Sequence, residues 1–241
     1  MVVWNGKPAG FKVIRNWFQP YEAVPEWFSE YNMTHDTWFY IREQAFPKDK
    51  PYGWKNYPYD YYNIWVAHAG EDPYMEEPTL EMLAPEWDMI VFKHCFPVGK
   101  ILPDKGMPDP ASEEKRLENY KVQYLALRDK LHQFPETKFV VWTGAALVEK
   151  KTTEEQARRM KAFVDWVRDE WDQPEDNIYL WDFYQLETEG GLYLKNEYAR
   201  NPGNSHPSKK FGERVSALFC NRLVDVALNY GHNTTLTGEN K

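Results

Sequence analysis

The chain has 241 residues, with 29 Lys and Arg against 37 Asp and Glu, a net charge of −8. That length suits one substantial domain with a real core, and the acidic balance argues against a field that would recruit nucleic acid or an anionic membrane surface. No apolar run approaches the ~20 residues that cross a bilayer, and Met1-Val2-Val3-Trp4 lacks the charged start and apolar core of a signal peptide.

The expectation is therefore a soluble protein, cytoplasmic or exported with its signal removed. Cys95 and Cys220 are the two cysteines, too few for a disulfide framework and in no metal-type pair. Aromatics make up 17% of the chain, with 11 Trp and 16 Tyr, enough for a large aromatic core or for platforms lining a cleft.

Residues 1–62 are crowded with Trp, Tyr, Phe and Pro, and read as an aromatic-rich extension packed on a main domain of residues 63–241. Within it, Lys12-Val13-Ile14 and Thr37 to Ile41 have strand character, and Pro25-Glu26-Trp27-Phe28 opens a helical turn. A run from Pro47 to Tyr62, with Pro51, Gly53 and Pro58, reads as an ordered loop.

From Asn63 a rhythm of short apolar runs and amphipathic helices begins. Asn63-Ile64-Trp65-Val66-Ala67 has strand length and ends at His68-Ala69-Gly70-Glu71-Asp72. A short helix is expected near Thr79 to Leu83. The next strand, Asp88 to Lys93, ends at His94-Cys95. Asp109-Pro110 offers a helix start, and Leu117, Tyr120, Tyr124, Leu127 and Leu131 share one face of a helix ending near Gln133.

Lys138-Phe139-Val140-Val141-Trp142 is the third expected strand, closing at Thr143-Gly144. Thr152 and Glu155 form a capping-box pattern before Met160, Phe163, Val167 and Trp171. The fourth strand, Asn177 to Trp181, runs into Asp182. The last helix is expected from Pro207 towards Tyr230, with Phe211, Val215, Phe219, Leu223 and Val226 facing inward and Cys220 in the core.

Strands alternating with helices predict an α/β fold in three layers, a mostly parallel sheet covered on both faces. Ligands of such sheets bind beyond the carboxyl ends of the strands. The polar residues expected there are His68 to Asp72, His94-Cys95, Thr143-Gly144 and Asp182. The loop Asn204-Ser205-His206-Pro207-Ser208 adds a histidine, the side chain best suited to act as a general base near neutral pH.

The order of these elements, and Asn204-Ser205-His206-Pro207-Ser208 above all, resemble the SGNH/GDSL hydrolases over roughly residues 63–230. The resemblance implies a flavodoxin-like three-layer fold, a Ser-His pair usually assisted by Asp, no metal or other cofactor, and cleavage of acyl esters. On it, His206 matches the base and Asn204 stands where an acid is usual, able to orient the imidazole but not to balance its charge.

Ala69 stands at the nucleophile position, either as an engineered replacement of serine or as a natural loss. Gly70 and the His94-Cys95 turn match oxyanion donors, with His68 and Thr143 as substrate-side neighbours. The implied substrate is a small-molecule or glycan acyl ester, an acetylated carbohydrate among the options.

Three other chemistries stay open. Cys95 offers a thiol nucleophile near His94 or His206; a natural Ala69 makes a non-catalytic binding protein of the same fold; His68, Glu71, Asp72, His94 and His206 include metal-ligand types, although in no standard spacing. Glu187, Glu189 and Glu197 read as solvated loop acids. No phosphate-cradling glycine pattern is present, so no nucleotide cofactor is expected.

Overall fold

The structure, a computed structural model, describes residues 2–4, 7–15, 23–37, 39–45 and 51–239. In chain order the elements are β1 (Val2–Trp4), β2 (Lys7–Arg15), α1 (Ala23–His35), β3 (Tyr40–Ala45), α2 (Pro58–Tyr62), α3 (Leu80–Leu83), β4 (Met89–Phe92) and α4 (Leu117–Leu131). There follow β5 (Lys138–Trp142), α5 (Glu154–Trp166), β6 (Ile178–Trp181), α6 (Phe183–Thr188), β7 (Ala199–Asn201), β8 (Asn204–Pro207) and α7 (Lys209–Ala227). The architecture is α/β with a parallel sheet.

Five strands run parallel in the spatial order β3-β2-β4-β5-β6, and β1 pairs antiparallel with the start of β2. The register sets Met89 opposite Lys138 and Phe139 opposite Ile178. Every residue of β4 and β6 is buried, as the continuous apolar runs of a sheet covered on both faces require.

Alternate side chains of these strands point to opposite faces. Ile90, Phe92, Phe139, Val141, Ile178 and Leu180 join a core with residues of α2, α4 and α5. Met89, Val91, Val140, Trp142, Tyr179 and Trp181 join a second core with α1 and α7. The helices lie on both faces of the sheet for that reason, and the aromatic surplus fills both layers.

The expected strands around 88–93, 138–142 and 177–181 are β4, β5 and β6, and Lys12 to Ile14 lies within β2. Part of the segment expected as an extension instead supplies strands to the sheet: β2 pairs with β4 through Phe11, Lys12 and Val13.

The expected first strand, Asn63 to Ala67, is instead helical: α2 continues into a π-helical turn over Asn63–Ala67. Tyr57 and Asp60 start this helix, the Asp60 carboxylate accepting the Tyr57 N–H at 2.7 Å, with Pro58 in the first turn. Tyr61, Ile64 and Trp65 then fall on one buried face at helical intervals. A run of four apolar residues, Ile64 to Ala67, is too short to show a period of its own, and the upstream helix start decided its state.

Helix α4 starts at Leu117 rather than near Pro110. The helix itself pins the preceding segment in irregular form: Gln123 donates to the Pro110 and Ser112 carbonyls, and Asn119 donates to Glu114 and accepts from Asp109 N–H. The capping box before α5 is Thr153 with Gln156, one residue beyond the expected pair. Residues 204–207 form β8, and Ser208 caps α7. No helix of the described residues is long and apolar enough to cross a membrane.

Candidate active site

β7 and β8 form a two-stranded hairpin whose register sets Ala199 opposite Pro207 and Asn201 opposite Asn204. Its tip is tightened by Asn201, which accepts the Gly203 N–H at 2.9 Å. Ser208 N–H, donating to the Tyr198 carbonyl at 2.7 Å, closes its base, and Val148 N–H, donating to Ser205 Oγ at 3.1 Å, fastens it to the body. The hairpin thereby carries His206 over the carboxyl ends of β4 and β5.

A cavity lies beneath the imidazole. Its walls are residues 93–96 after β4, 142–145 after β5, Phe183 and Glu187 of α6, and residues 205–207. It holds about 30 Å³, more than the ~10–15 Å³ that one water molecule requires. A wider groove of about 420 Å³ adjoins it, sharing Phe96 and Ser205 as walls and reaching Lys100, Leu147, Lys151, Asn201 and Asn204.

His206 is half-buried and oriented. Asn204 Oδ1 accepts from the His206 backbone N–H at 2.9 Å and lies 2.6 Å from Nδ1. A carboxamide oxygen only accepts, so Nδ1 carries the proton and Nε2 is the ring's acceptor nitrogen. Burial, with Arg200 and Lys93 adding positive charge, pulls the imidazole below its usual range and keeps it neutral. Phe96 meets it edge-on at 4.7 Å.

Cys95 lines the same cavity and is not in a disulfide. Its backbone is fixed by the Asn56 carbonyl, which accepts its N–H at 3.2 Å. Lys93 also lines the cavity, its ammonium 5.5 Å from the centre of the Trp142 ring.

Glu187, expected as a solvated acid, is 1% exposed. Ala146 N–H donates to its carboxylate. Burial pushes the carboxyl well above its usual range and Asp182 pushes it further, while the Ala146 N–H and Lys93 pull the other way. Burial outweighs the two opposing groups. A helical spacing to Tyr184 and the neighbouring Leu186 in a short amphipathic turn was the available sign that Glu187 faces inward. Glu189 and Glu197 are exposed, as expected, and Glu189 pairs with Lys195 at 2.7 Å.

The other expected residues divide into two groups. His94 and Thr143 line the cavity, yet their side chains are engaged elsewhere. His94 Nε2 lies 2.5 Å from the Tyr124 hydroxyl, and burial holds this imidazole at a pKa of about 3, aided by Lys93 and only partly opposed by the Asn56 carbonyl. The Thr143 hydroxyl donates to Asp182 at 2.7 Å and accepts from Tyr184 N–H at 3.0 Å. Asp182 is itself occupied by Thr143, Arg168 and the first turn of α6.

His68, Ala69 and Gly70 do not join them, which corrects the expected nucleophile turn. The helix from Pro58 begins beside the carboxyl end of β4, where Asn56 meets Cys95 and the Tyr61 hydroxyl meets the Lys93 carbonyl. It then runs for roughly 15 Å away from that edge at 1.5 Å per residue. It finishes where Gly70 N–H donates to Glu81 and Glu81 pairs with Lys130 in the last turn of α4, next to the chain that enters β5.

Ala69 is exposed there, and His68 stacks on Tyr74 and bonds the Asn63 carbonyl at 2.8 Å. The metal-ligand types around His68 are likewise remote from His206. Among the described residues no group of three or more His, Cys, Asp or Glu side chains is placed to hold a metal ion.

Residues 16–22, between β2 and α1 in the chain, lie outside the described residues, and their sequence contains no Ser, Thr or Cys. No family model matches the chain, and no curated protein matches it.

Proposed function

We propose that this protein hydrolyses short acyl esters, with His206 as general base and Cys95, rather than a residue at position 69, as nucleophile. The observation that carries the reading is that His206, its imidazole oriented by Asn204, and Cys95 line one small cavity at the carboxyl edge of the parallel sheet. The spatial strand order supports it. Numbered along the chain, the five parallel strands run 2-1-3-4-5, the flavodoxin-like order that the SGNH resemblance implies.

In the proposed reaction His206 Nε2 takes the Cys95 thiol proton and the thiolate attacks the ester carbonyl carbon. Main-chain N–H groups in the turn after β5 are the candidate oxyanion donors, since Gly144 lines the cavity with backbone alone. Collapse of the tetrahedral intermediate breaks the C–O bond, and the alcohol leaves with the proton from His206. Water, deprotonated by the same imidazole, then cleaves the thioester, releasing the acid and restoring the thiol. A cavity this small favours an acetyl-sized acyl group, with the alcohol part in the adjoining groove.

The test is turnover of 4-nitrophenyl acetate and acetylated sugars by the wild type, Cys95→Ala and His206→Gln. Losses of about 10²-fold or more are expected in both variants, together with an acetyl adduct on Cys95 in quenched reactions. Activity that survives Cys95→Ala but not His206→Gln would place the nucleophile elsewhere. The second reading, a non-catalytic binding protein, is favoured by the Phe96 edge packed on the His206 ring. Ligand binding with no turnover in the wild type would establish it.

A further inference from the structure

The groove beside the His206 cavity has a charge unlike that of the whole protein. The chain is acidic, at −8, yet the charged side chains lining the groove are Lys100 and Lys151, with no carboxylate among the lining residues. Both lysines are exposed, and neither makes an ion pair among the described residues.

More positive charge gathers around them. Lys100 adds to the effect of burial in pushing the Lys115 ammonium down, and Arg200 and Lys93 add positive charge near His206, Lys93 from the wall of the adjoining cavity. Such a concentration of one sign along a concave wall focuses the local potential and draws opposite charge from solution.

The remaining lining is polar and mixed. Asn201 and Asn204 offer carboxamides, Leu147 an apolar patch and Phe96 a ring edge at the junction with the smaller cavity. A volume of about 420 Å³ is at the lower end of the range that binds compact organic ligands. Carboxamides beside an aromatic and an aliphatic side chain suit a sugar ring, which presents hydroxyls on its rim and C–H groups on its faces.

We propose that this groove is a subsite for an anionic saccharide, with Lys100 and Lys151 pairing with its carboxylate or sulfate groups. This rests on the hydrolase reading only for the occupant's role as the alcohol portion of the ester; binding itself does not require turnover.

The experiment is calorimetric titration of the full chain with three probes: trigalacturonate, a sulfated trisaccharide and neutral cellotriose. Titrations at low and at 0.5 M salt use the wild type and Lys100→Ala/Lys151→Ala, whose Tm confirms folding. Binding of an anionic probe at least tenfold tighter than cellotriose is expected, weakened by salt and reduced about tenfold or more in the double variant. The better of the two anionic probes identifies the acidic group.

Equal affinity for neutral and anionic probes, or anionic binding unchanged in the double variant, would overturn the proposal. Repeating the wild-type titration beside an ester assay separates the two readings. Anion-selective binding with no hydrolysis leaves the subsite standing without the hydrolase, and hydrolysis without anion preference does the reverse.

Discussion

Asn204 Oδ1 lies 2.6 Å from His206 Nδ1 and 2.9 Å from the His206 backbone nitrogen, so one carboxamide oxygen fixes both the backbone and the ring of the proposed base. The contact sets the tautomer without adding charge, in a place where Arg200 and Lys93 already disfavour the imidazolium. The group is therefore neutral at pH 7 but receives no help when it takes up a proton.

Asn204→Asp should change that balance. A carboxylate at hydrogen-bond distance favours the charged imidazole, so the His206 pKa is expected to rise by about 1 unit or more. The measurement is an NMR titration of the His206 ring protons in both forms. If turnover depends on neutral His206, the acid limb of the rate profile moves to higher pH by the same amount. An unchanged titration would mean that Asn204 does not face the ring in solution.

Ala69→Ser should not generate or raise esterase activity. The residue is exposed near the end of α4, across the sheet from His206, and a hydroxyl there has no base to activate it. Stability is expected to stay within about 0.5 kcal/mol of the wild type, as for most surface changes, and a thermal melt checks it. A gain in ester turnover with Ala69→Ser would return the nucleophile to that turn and bring His206 within reach of it.

What could be read from the sequence follows from how each signal is generated. Fully buried strands announce themselves as apolar runs bounded by polar turns, so β4, β5 and β6 were legible, as were the inward faces of α4 and α7. Asn63 to Ala67 presents the same composition and is helical, because Pro58 and Asp60, several residues earlier, had already started a helix.

That one misassignment carried His68, Ala69 and Gly70 to the wrong edge of the sheet. His206, Cys95, His94 and Thr143 reached the cavity, and Asn204 the groove beside it, because they were tied to the correctly placed ends of β4 and β5 and to the loop before α7. Glu187, Lys93, Lys100 and Lys151 were not singled out for the site. Their roles depend on which segments meet across the rim, and no local pattern encodes that.

His94 predicts how the fold responds to acid. Its imidazole is held neutral, at a pKa of about 3 against 6.5 unfolded, so the unfolded chain binds the proton first as pH falls. The stabilisation is complete above about pH 6.5 and is lost progressively down to pH 3, at ~1.4 kcal/mol per unit. Glu187 acts in the opposite sense, its raised carboxyl adding stability at low pH. The comparison of wild type with His94→Leu isolates the histidine. The variant should be less stable at pH 7, where Tyr124 loses its partner, and should show an acid slope shallower by one proton.

Asp172 predicts a stabilising substitution. It follows the π-helical turn Val167–Trp171, where the helix terminus disfavours negative charge, and its Oδ1 is buried without a hydrogen-bond partner among the described residues. Burial, and then Asp176, push its carboxyl up to about 7, with Arg222 opposing.

The folded state thus binds the proton more tightly than the unfolded chain between about pH 4 and pH 7. Stability from this group is full below that window and declines as pH rises through it. Asp172→Asn keeps the shape and removes the charge. At pH 8 it should gain ~1 kcal/mol or more, worth about 2–4 °C of Tm per kcal/mol for a chain of this length. At pH 4 the gain should vanish, because the wild-type carboxyl is then protonated in the folded protein. Equal Tm values for the two proteins at pH 8 would mean that water reaches this carboxylate and that its burial costs the fold nothing.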